Sequence, residues 1–157
     1  MKILVFSDSH SYLDYMIQCT RRVQPDAVIH LGDYYADADV FCAEFPQIPL
    51  YAVPGNCDQY RGGYLPEPVA MVELDGVMFY LTHGHKHGVK YDLFKLKMEA
   101  RRAGADAVLF GHTHQQSIIH EDDLWIVNPG TCGMINSTAA LIVTENNKIS
   151  HCEPLSR

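Results

Sequence analysis

Several scarcities in this 157-residue chain exclude whole classes of protein. No apolar run approaches the roughly 20 residues that a membrane-spanning helix needs. The five cysteines, Cys19, Cys42, Cys57, Cys132 and Cys152, are odd in number and include no C-x-x-C pair, which argues against a disulfide framework and a zinc ribbon. Basic residues are outnumbered, and the net charge of -7 provides no basic stripe for a broad nucleic-acid surface and little for an anionic membrane to attract. A bound cation cluster would reverse that sign locally, so a phosphate substrate stays open. Residues 1–6 are too few for the apolar core of a secretory signal before Asp8 and His10 follow, and the expected location is a reducing cytoplasm. Repeats, low-complexity tracts and long linkers are also missing, so the expectation is one domain over residues 1–157.

Apolar residues make up 47% of the chain, enough for one core. Residues 2–6 read as a short buried strand. A helix follows, with Leu13, Met16, Ile17 and Thr20 at helical spacing. Pro25 precedes a second strand at 27–31. Ala38, Phe41, Cys42 and Phe45 repeat the helical spacing up to Pro46, and residues 49–53 form a third strand. This alternation is the mark of a parallel α/β sheet. Beyond it, residues 71–74 and 77–81 flank Asp75-Gly76, a strong hairpin signal. Leu93, Leu96, Ala100 and Ala103 predict a helix ending at Gly104, and residues 107–110 a buried strand. Two more hairpins are expected, 117–120 with 124–127 and 139–143 with 148–152, so the second half reads as mostly antiparallel. Residues 61–68, rich in Gly and Pro, read as an irregular surface loop.

Polar clusters fall at the ends of these strands. Asp8-Ser9-His10, Gly32-Asp33, Gly55-Asn56-Cys57-Asp58, His83-Gly84-His85 and Gly111-His112-Thr113-His114 each follow one of them. Ligands of open α/β sheets gather at the carboxyl ends of strands, so the five clusters can converge. Asp8 and His10 are two apart, as are His112 and His114, and in extended chain such pairs point the same way. Singly, each is an ordinary cap or turn residue; as a set they supply imidazole, carboxylate and amide donors, which suit manganese, iron, nickel or zinc rather than calcium. Seven ligands are too many for one tetrahedral ion and suit two ions sharing a bridge. Asp33, with two carboxylate oxygens, is the natural bridge. Ions roughly 3.5–4 Å apart can hold a hydroxide between them and clamp a phosphoryl oxygen.

The ordered set D-x-H, G-D, G-N-x-D, H and G-H-x-H, spanning residues 8 to 114, resembles the calcineurin-like metallophosphoesterases. The short chain and Cys57 are most similar to the small YfcE-type phosphodiesterases of bacteria and archaea. The resemblance implies an α/β fold of two mixed β-sheets packed as a sandwich and flanked by helices, in four layers. It implies that Asp8, His10, Asp33 and His114 bind one metal and Asp33, Asn56, His83 and His112 the other. Catalysis would centre on Asp33, Asn56 and His83, with Asn56 also touching the substrate phosphate. The implied reaction is hydrolysis of a small phosphodiester by hydroxide bridging two divalent ions, with manganese the first choice. It also makes a homodimer or tetramer an expectation. Larger relatives carry a histidine where this chain has Cys57, and a neutral thiol is a poor leaving-group acid.

Residues around this set have milder readings. Cys57, Asp58 and His85 are candidates for substrate contact or ligand support, while a solvated loop is the plain alternative for His85 and His87. His30 reads as a core or supporting histidine, and His120 and His151 as surface residues. Asn128-Pro129-Gly130 reads as a turn, and Tyr34-Tyr35 as either entrance or core cover. Two other functions compete with the diesterase. One is a phosphomonoesterase or nucleotidase with the same site. The other is a metal-binding protein-interaction scaffold like the retromer subunit, which has this fold but has lost ligand residues.

Overall fold

The computed structural model describes residues 1–60 and 65–157. Of the loop expected at 61–68, residues 61–64 therefore lie outside the described residues. Strands β1 (Lys2–Phe6), β2 (Ala27–His30) and β3 (Leu50–Ala52) are parallel and are linked by helices α1 (Asp14–Val23) and α2 (Asp37–Glu44). The β4 (Val69–Leu74) and β5 (Val77–Thr82) hairpin follows. Its turn residues, Asp75 and Gly76, both have positive φ, as the tightest hairpin turns require. Helix α3 (Phe94–Arg102) leads to β6 (Ala107–Leu109), and the chain closes with β7 (Ser117–Glu121), β8 (Leu124–Asn128), β9 (Thr138–Glu145) and β10 (Lys148–Ser156).

The ten strands form two five-stranded sheets, ordered β10-β9-β1-β2-β3 and β4-β5-β6-β8-β7. Both are mixed, and with the helices they form the expected sandwich. Two details refine that expectation. In the second sheet β5, β6 and β8 run parallel, so this half is less antiparallel than the hairpins suggest. The last hairpin leaves that sheet and pairs β9 antiparallel to β1.

Strand alternation builds the layers. In β1, Ile3 and Val5 face the second sheet, where they meet Phe79, Leu81, Ala107 and Leu109. Leu4 and Phe6 face outward and are covered by Tyr15, Met16 and Cys19 of α1 and Phe41 of α2. The other sheet repeats this, with Tyr80, Val108 and Ile126 covered by Leu96 and Ala100 of α3. Buried on both faces, the central strands read as continuous apolar runs. Cys42, part of the helical pattern, is exposed while Ala38, Phe41 and Phe45 are buried. No helix among the described residues is long and apolar enough to cross a membrane.

Phe79 is fully buried between the sheets. Phe79→Ala is expected to cost about 3–5 kcal/mol, because the surrounding sheets cannot close the cavity. Chemical denaturation of the variant beside the parent protein measures this.

Candidate metal centre

Three parallel strands in each sheet aim their carboxyl ends at one region, and five of the six deliver the predicted clusters. Ligand atoms of Asp8, His10 and His114 lie within 4.8 Å of one another, as do those of Asp8, Asp33 and His83, and those of His10, Asp33 and Cys57. The His112 ring is 5.0 Å from that of His83. Asn56 adjoins Cys57, whose backbone N–H donates to Asp33 Oδ1 at 2.9 Å. All seven predicted ligands are thus brought together.

The route to convergence is not the extended chain expected for the two D-x-H and H-x-H pairs. Asp8, His10, His112 and His114 all have positive φ, as do Ser11, Asp33 and Tyr34. Left-handed backbone at a non-glycine residue costs on the order of 1–3 kcal/mol and persists only where the surroundings enforce it. Here the enforcement is close packing. A Cβ on Gly111 would collide with Ser7 Oγ and sit 2.8 Å from Asp8 Oδ2, and one on Gly55 would collide with Asp33 Oδ1.

Each aspartate is anchored by one oxygen and offers the other. Asp8 Oδ2 accepts from Ser7 Oγ at 2.6 Å and from the His112 N–H at 3.1 Å. Its Oδ1 lies 3.1 Å from His114 Nε2 and 3.9 Å from His83 Nε2, without hydrogen-bond geometry. Asp33 Oδ1 is taken by the Cys57 N–H, and its Oδ2 lies 3.4 Å from His83 Nε2. His83 Nδ1 donates to the Leu31 carbonyl at 2.7 Å, which leaves Nε2 as the nitrogen with a free lone pair when the ring is neutral.

Electrostatics follow this layout. Burial would raise the Asp8 carboxyl, but His114, His83 and Ser7 hold it below its usual range. Burial likewise opposes the shift of Asp33, which His83 and the Cys57 N–H lower. Burial works against the charged form of His83 too, and Asp33 and Asp8 outweigh it and raise its pKa. The contact with Asp8 raises His114. Burial, with His83 and Lys90 nearby, lowers His112 to about 4. Burial and Asp33 push the Cys57 thiol up to about 11, so it is a neutral thiol rather than a reactive thiolate.

Of the seven buried side-chain polar atoms without a hydrogen-bond partner among the described residues, three are Asp8 Oδ1, Asn56 Oδ1 and His83 Nε2, and two more belong to His85. Native proteins rarely leave such atoms unpaired unless something else satisfies them. The nitrogen and oxygen donors, their mutual distances and these orphaned atoms fit divalent metal.

The whole chain can now be compared with known proteins. Residues 1–147 match the calcineurin-like phosphoesterase superfamily domain. The chain belongs to that superfamily. It is similar to a probable metallophosphoesterase of Mycoplasma pneumoniae, 32% identical over 83% of this chain and 78% of the relative. It is also similar to a phosphodiesterase of Methanocaldococcus jannaschii, 27% identical over 98% of both chains. The fold is shared with vacuolar protein sorting 29 from Cryptosporidium parvum, at 15% identity and a TM-score of 0.75, covering 99% of this chain and 98% of that one.

Within this candidate site, the remaining candidates separate. Asp58 accepts from the backbone N–H groups of Tyr34, Tyr35 and Gly55 at 2.7–2.9 Å and so fixes the loops that carry Asp33 and Asn56. Among the described residues neither ring nitrogen of His85 has a hydrogen-bond partner, and its ring is 5.5 Å from His83 and 6.2 Å from His112. His87 is not solvated: it is buried, bonded to Tyr80 and Glu99, and ties its loop to α3. The Tyr34 ring meets the His10 ring edge-on at 5.1 Å, which favours the entrance reading. His120 and His151 are exposed, as expected.

Sequence reading missed a layer of supports. Ser9 Oγ donates to Asp37 Oδ2 at 2.6 Å, and His30 Nε2 meets Ser9 Oγ at 3.0 Å, so the middle of D-S-H is held as firmly as its ends. Burial lowers His30 to about 4, keeping it neutral there. Thr131 Oγ1 donates to the Asp8 carbonyl at 2.8 Å. Asn128 Nδ2 donates to the Gly111 carbonyl and to Thr113 Oγ1, bracing G-H-T-H. The position of Asn128-Pro129-Gly130 just after a strand was the signal available for this loop.

Two outcomes follow from this geometry. Gly111→Ala displaces Ser7 and Asp8, and metal affinity is expected to fall roughly 10–100-fold with the far-ultraviolet circular dichroism unchanged. If His83 and His114 are metal ligands, binding must also displace protons from them, because their contacts with Asp33 and Asp8 raise their pKa values. The thermal stabilisation by added manganese is therefore expected to grow between about pH 6 and pH 8. A gain independent of pH would remove these two histidines from the ligand set.

Proposed function

We propose that this superfamily member is a phosphodiesterase working with two divalent ions. Asp8, His10, Asp33 and His114 would hold one, and Asp33, Asn56, His83 and His112 the other. The observation that carries the reading is the set of buried donor atoms without partners, Asp8 Oδ1, Asn56 Oδ1 and His83 Nε2, at the point where the other ligands meet. Mixed nitrogen and oxygen donors favour manganese, with iron, nickel and zinc as alternatives. When bound, such a pair of ions supplies positive charge to the phosphoryl oxygens and lowers the pKa of an attacking water.

The chain's own residues fix the geometry. Asp8 and Asp33 cannot swing, because one oxygen of each is already hydrogen-bonded. Leu31 holds His83 in the tautomer that turns Nε2 inward. The Asn56 amide is oriented by its contact with Cys57 Sγ at 3.5 Å, which leaves a second N–H for a phosphoryl oxygen. Cys57 thus serves as an acceptor for Asn56 rather than as an acid. In the net reaction water forms a bond to phosphorus, the bond from phosphorus to the leaving oxygen breaks, and that oxygen takes up a proton. A monoester and an alcohol are released.

A diester is favoured because two divalent ions, two carboxylates and a hydroxide leave about one positive charge, matched by a singly charged substrate. The phosphodiesterase among the relatives supports the same choice. The test is turnover of an aryl phosphodiester beside an aryl phosphomonoester by the manganese-loaded protein, with the diester expected to be cleaved at least about tenfold faster. Equal or faster monoester cleavage would make it a phosphomonoesterase. Shared fold with vacuolar protein sorting 29 supports the alternative of a metal-binding scaffold, and a protein that bound no metal, or bound it without hydrolysing either ester, would favour that reading.

Asp33→Asn removes the charge common to both ion sites. Both ions are expected to be lost and kcat/KM to fall at least about 100-fold, as measured by metal analysis and the diester assay. Full metal content and rate would overturn the bridging role.

A further inference from the structure

A cavity of about 730 Å³ opens beside the metal centre, with His114 in its wall. That volume is in the range of small-molecule sites, roughly 300–1,000 Å³. Its other lining includes Tyr12, Met134, Ile135 and Asn136. Tyr12 is 69% exposed, Met134 53% and Ile135 91%, so three large apolar groups face solvent within reach of a candidate ligand. The formal charges in the lining, Asp14 and Arg157, are one of each sign.

This wall is built onto the segment that carries Asp8 and His10. Thr131 Oγ1 and the Cys132 N–H donate to the carbonyls of Asp8 and Ser7. Gly133 lies so close to the Ser9 carbonyl that a Cβ there would collide with it. At the far end, Ser137 Oγ donates to the Cys132 carbonyl and the Thr138 N–H to the Thr131 carbonyl, closing the loop on itself. The Tyr12 N–H donates to Ser9 at 2.8 Å on the opposite side. The backbone that carries Met134, Ile135 and Tyr12 is therefore tied to the segment that carries Asp8 and His10, which places their side chains on one side of the candidate ligands.

We propose that this cavity takes the non-leaving ester substituent of the substrate, and that the substituent is uncharged and ring-bearing, a nucleoside or aryl group. The proposal rests on the phosphodiesterase reading. The exposed tyrosine ring offers a stacking face, Met134 and Ile135 offer exposed apolar side chains at the rim, and Asn136 an amide for the edge of a base. A small or charged substituent would leave the apolar surface wet and gain little from a lining of balanced charge.

Two p-nitrophenyl diesters with the same leaving group test it, one with thymidine 5′ as the second substituent and one with methyl. The thymidine ester is expected to have a kcat/KM at least about tenfold higher. Ile135→Asp and Tyr12→Ala should each bring that ratio towards one. A ratio near one in the parent protein, or one preserved in both variants, overturns the proposal. Calorimetry with thymidine 5′-phosphate and methyl phosphate, on the manganese-loaded protein and without metal, reads binding independently of turnover. If no diester is hydrolysed yet thymidine 5′-phosphate binds better and Ile135→Asp abolishes the preference, the cavity stands and the diesterase reading falls. If diesters are hydrolysed with no preference for the ring, the diesterase reading stands and the cavity falls. If neither hydrolysis nor preference is found, both fall.

Discussion

A carboxylate removed from water must be compensated, and much of this molecule is arranged around that requirement at Asp8. Its side chain is fully buried, yet only one of its oxygens is hydrogen-bonded. The bond to its Oδ2 from the His112 N–H crosses from one sheet to the other, as does the bond from His83 to the Leu31 carbonyl. The two sheets are thus joined at their carboxyl ends by polar contacts and through the rest of their depth by apolar packing. An isolated buried charge would neutralise or open the site. Here His83 and His114 supply the countercharge.

Convergence on that point exacts a backbone cost. Seven residues in the three loops that carry Asp8, Asp33 and the G-H-T-H motif adopt positive φ, although none is glycine. Such conformations cluster where function demands them, and they survive because neighbours leave no alternative. Gly55 and Gly111 let the backbone pass where any side chain would displace an aspartate. Asp58 and Asn128 then fasten the loops from behind through backbone groups. The positions of the candidate ligands are therefore set by many short-range contacts from residues behind them, which is how a site on loops acquires the precision of a site on strands.

That division explains what could be read from the chain in advance. The strands and helices were legible because each carries a period, 2 or 3.6, or a breaker such as Pro25, Pro46 or Asp75-Gly76. The convergence of the seven candidate ligands was legible because each motif follows a strand and the motifs keep a fixed order. Sheet membership of the last hairpin was not, since an apolar strand such as 139–143 suits either sheet, and only the open edge of β1 decides it. Local geometry misled as well: the pairs at 8 and 10 and at 112 and 114 do converge, but by left-handed turns rather than by strand alternation. Supports such as Ser9, Asp37 and Thr131 carry no periodic signal, because a hydroxyl that donates to a distant carboxylate or carbonyl looks like any surface serine or threonine. His87 shows the converse: its Gly- and Lys-rich surroundings suggest solvent, while Glu99, twelve residues away, draws it inside.

The fold alone does not fix the activity, because vacuolar protein sorting 29 has the same architecture at 15% identity. What bears on it is the condition of individual atoms. Among the described residues Asp8 Oδ1, Asn56 Oδ1 and His83 Nε2 are buried without hydrogen-bond partners, and each such group costs about 1–3 kcal/mol unless something else satisfies it. Several residues around those atoms are also held in left-handed backbone. The two costs fall on the same few positions and are met by the same hydrogen bonds. Such local destabilisation, maintained by a rigid surround, is expected where a polar ligand completes the site, and at Asp8 and Asp33 the carboxylate oxygens lie 3.1–3.9 Å from the histidine nitrogens that balance their charge.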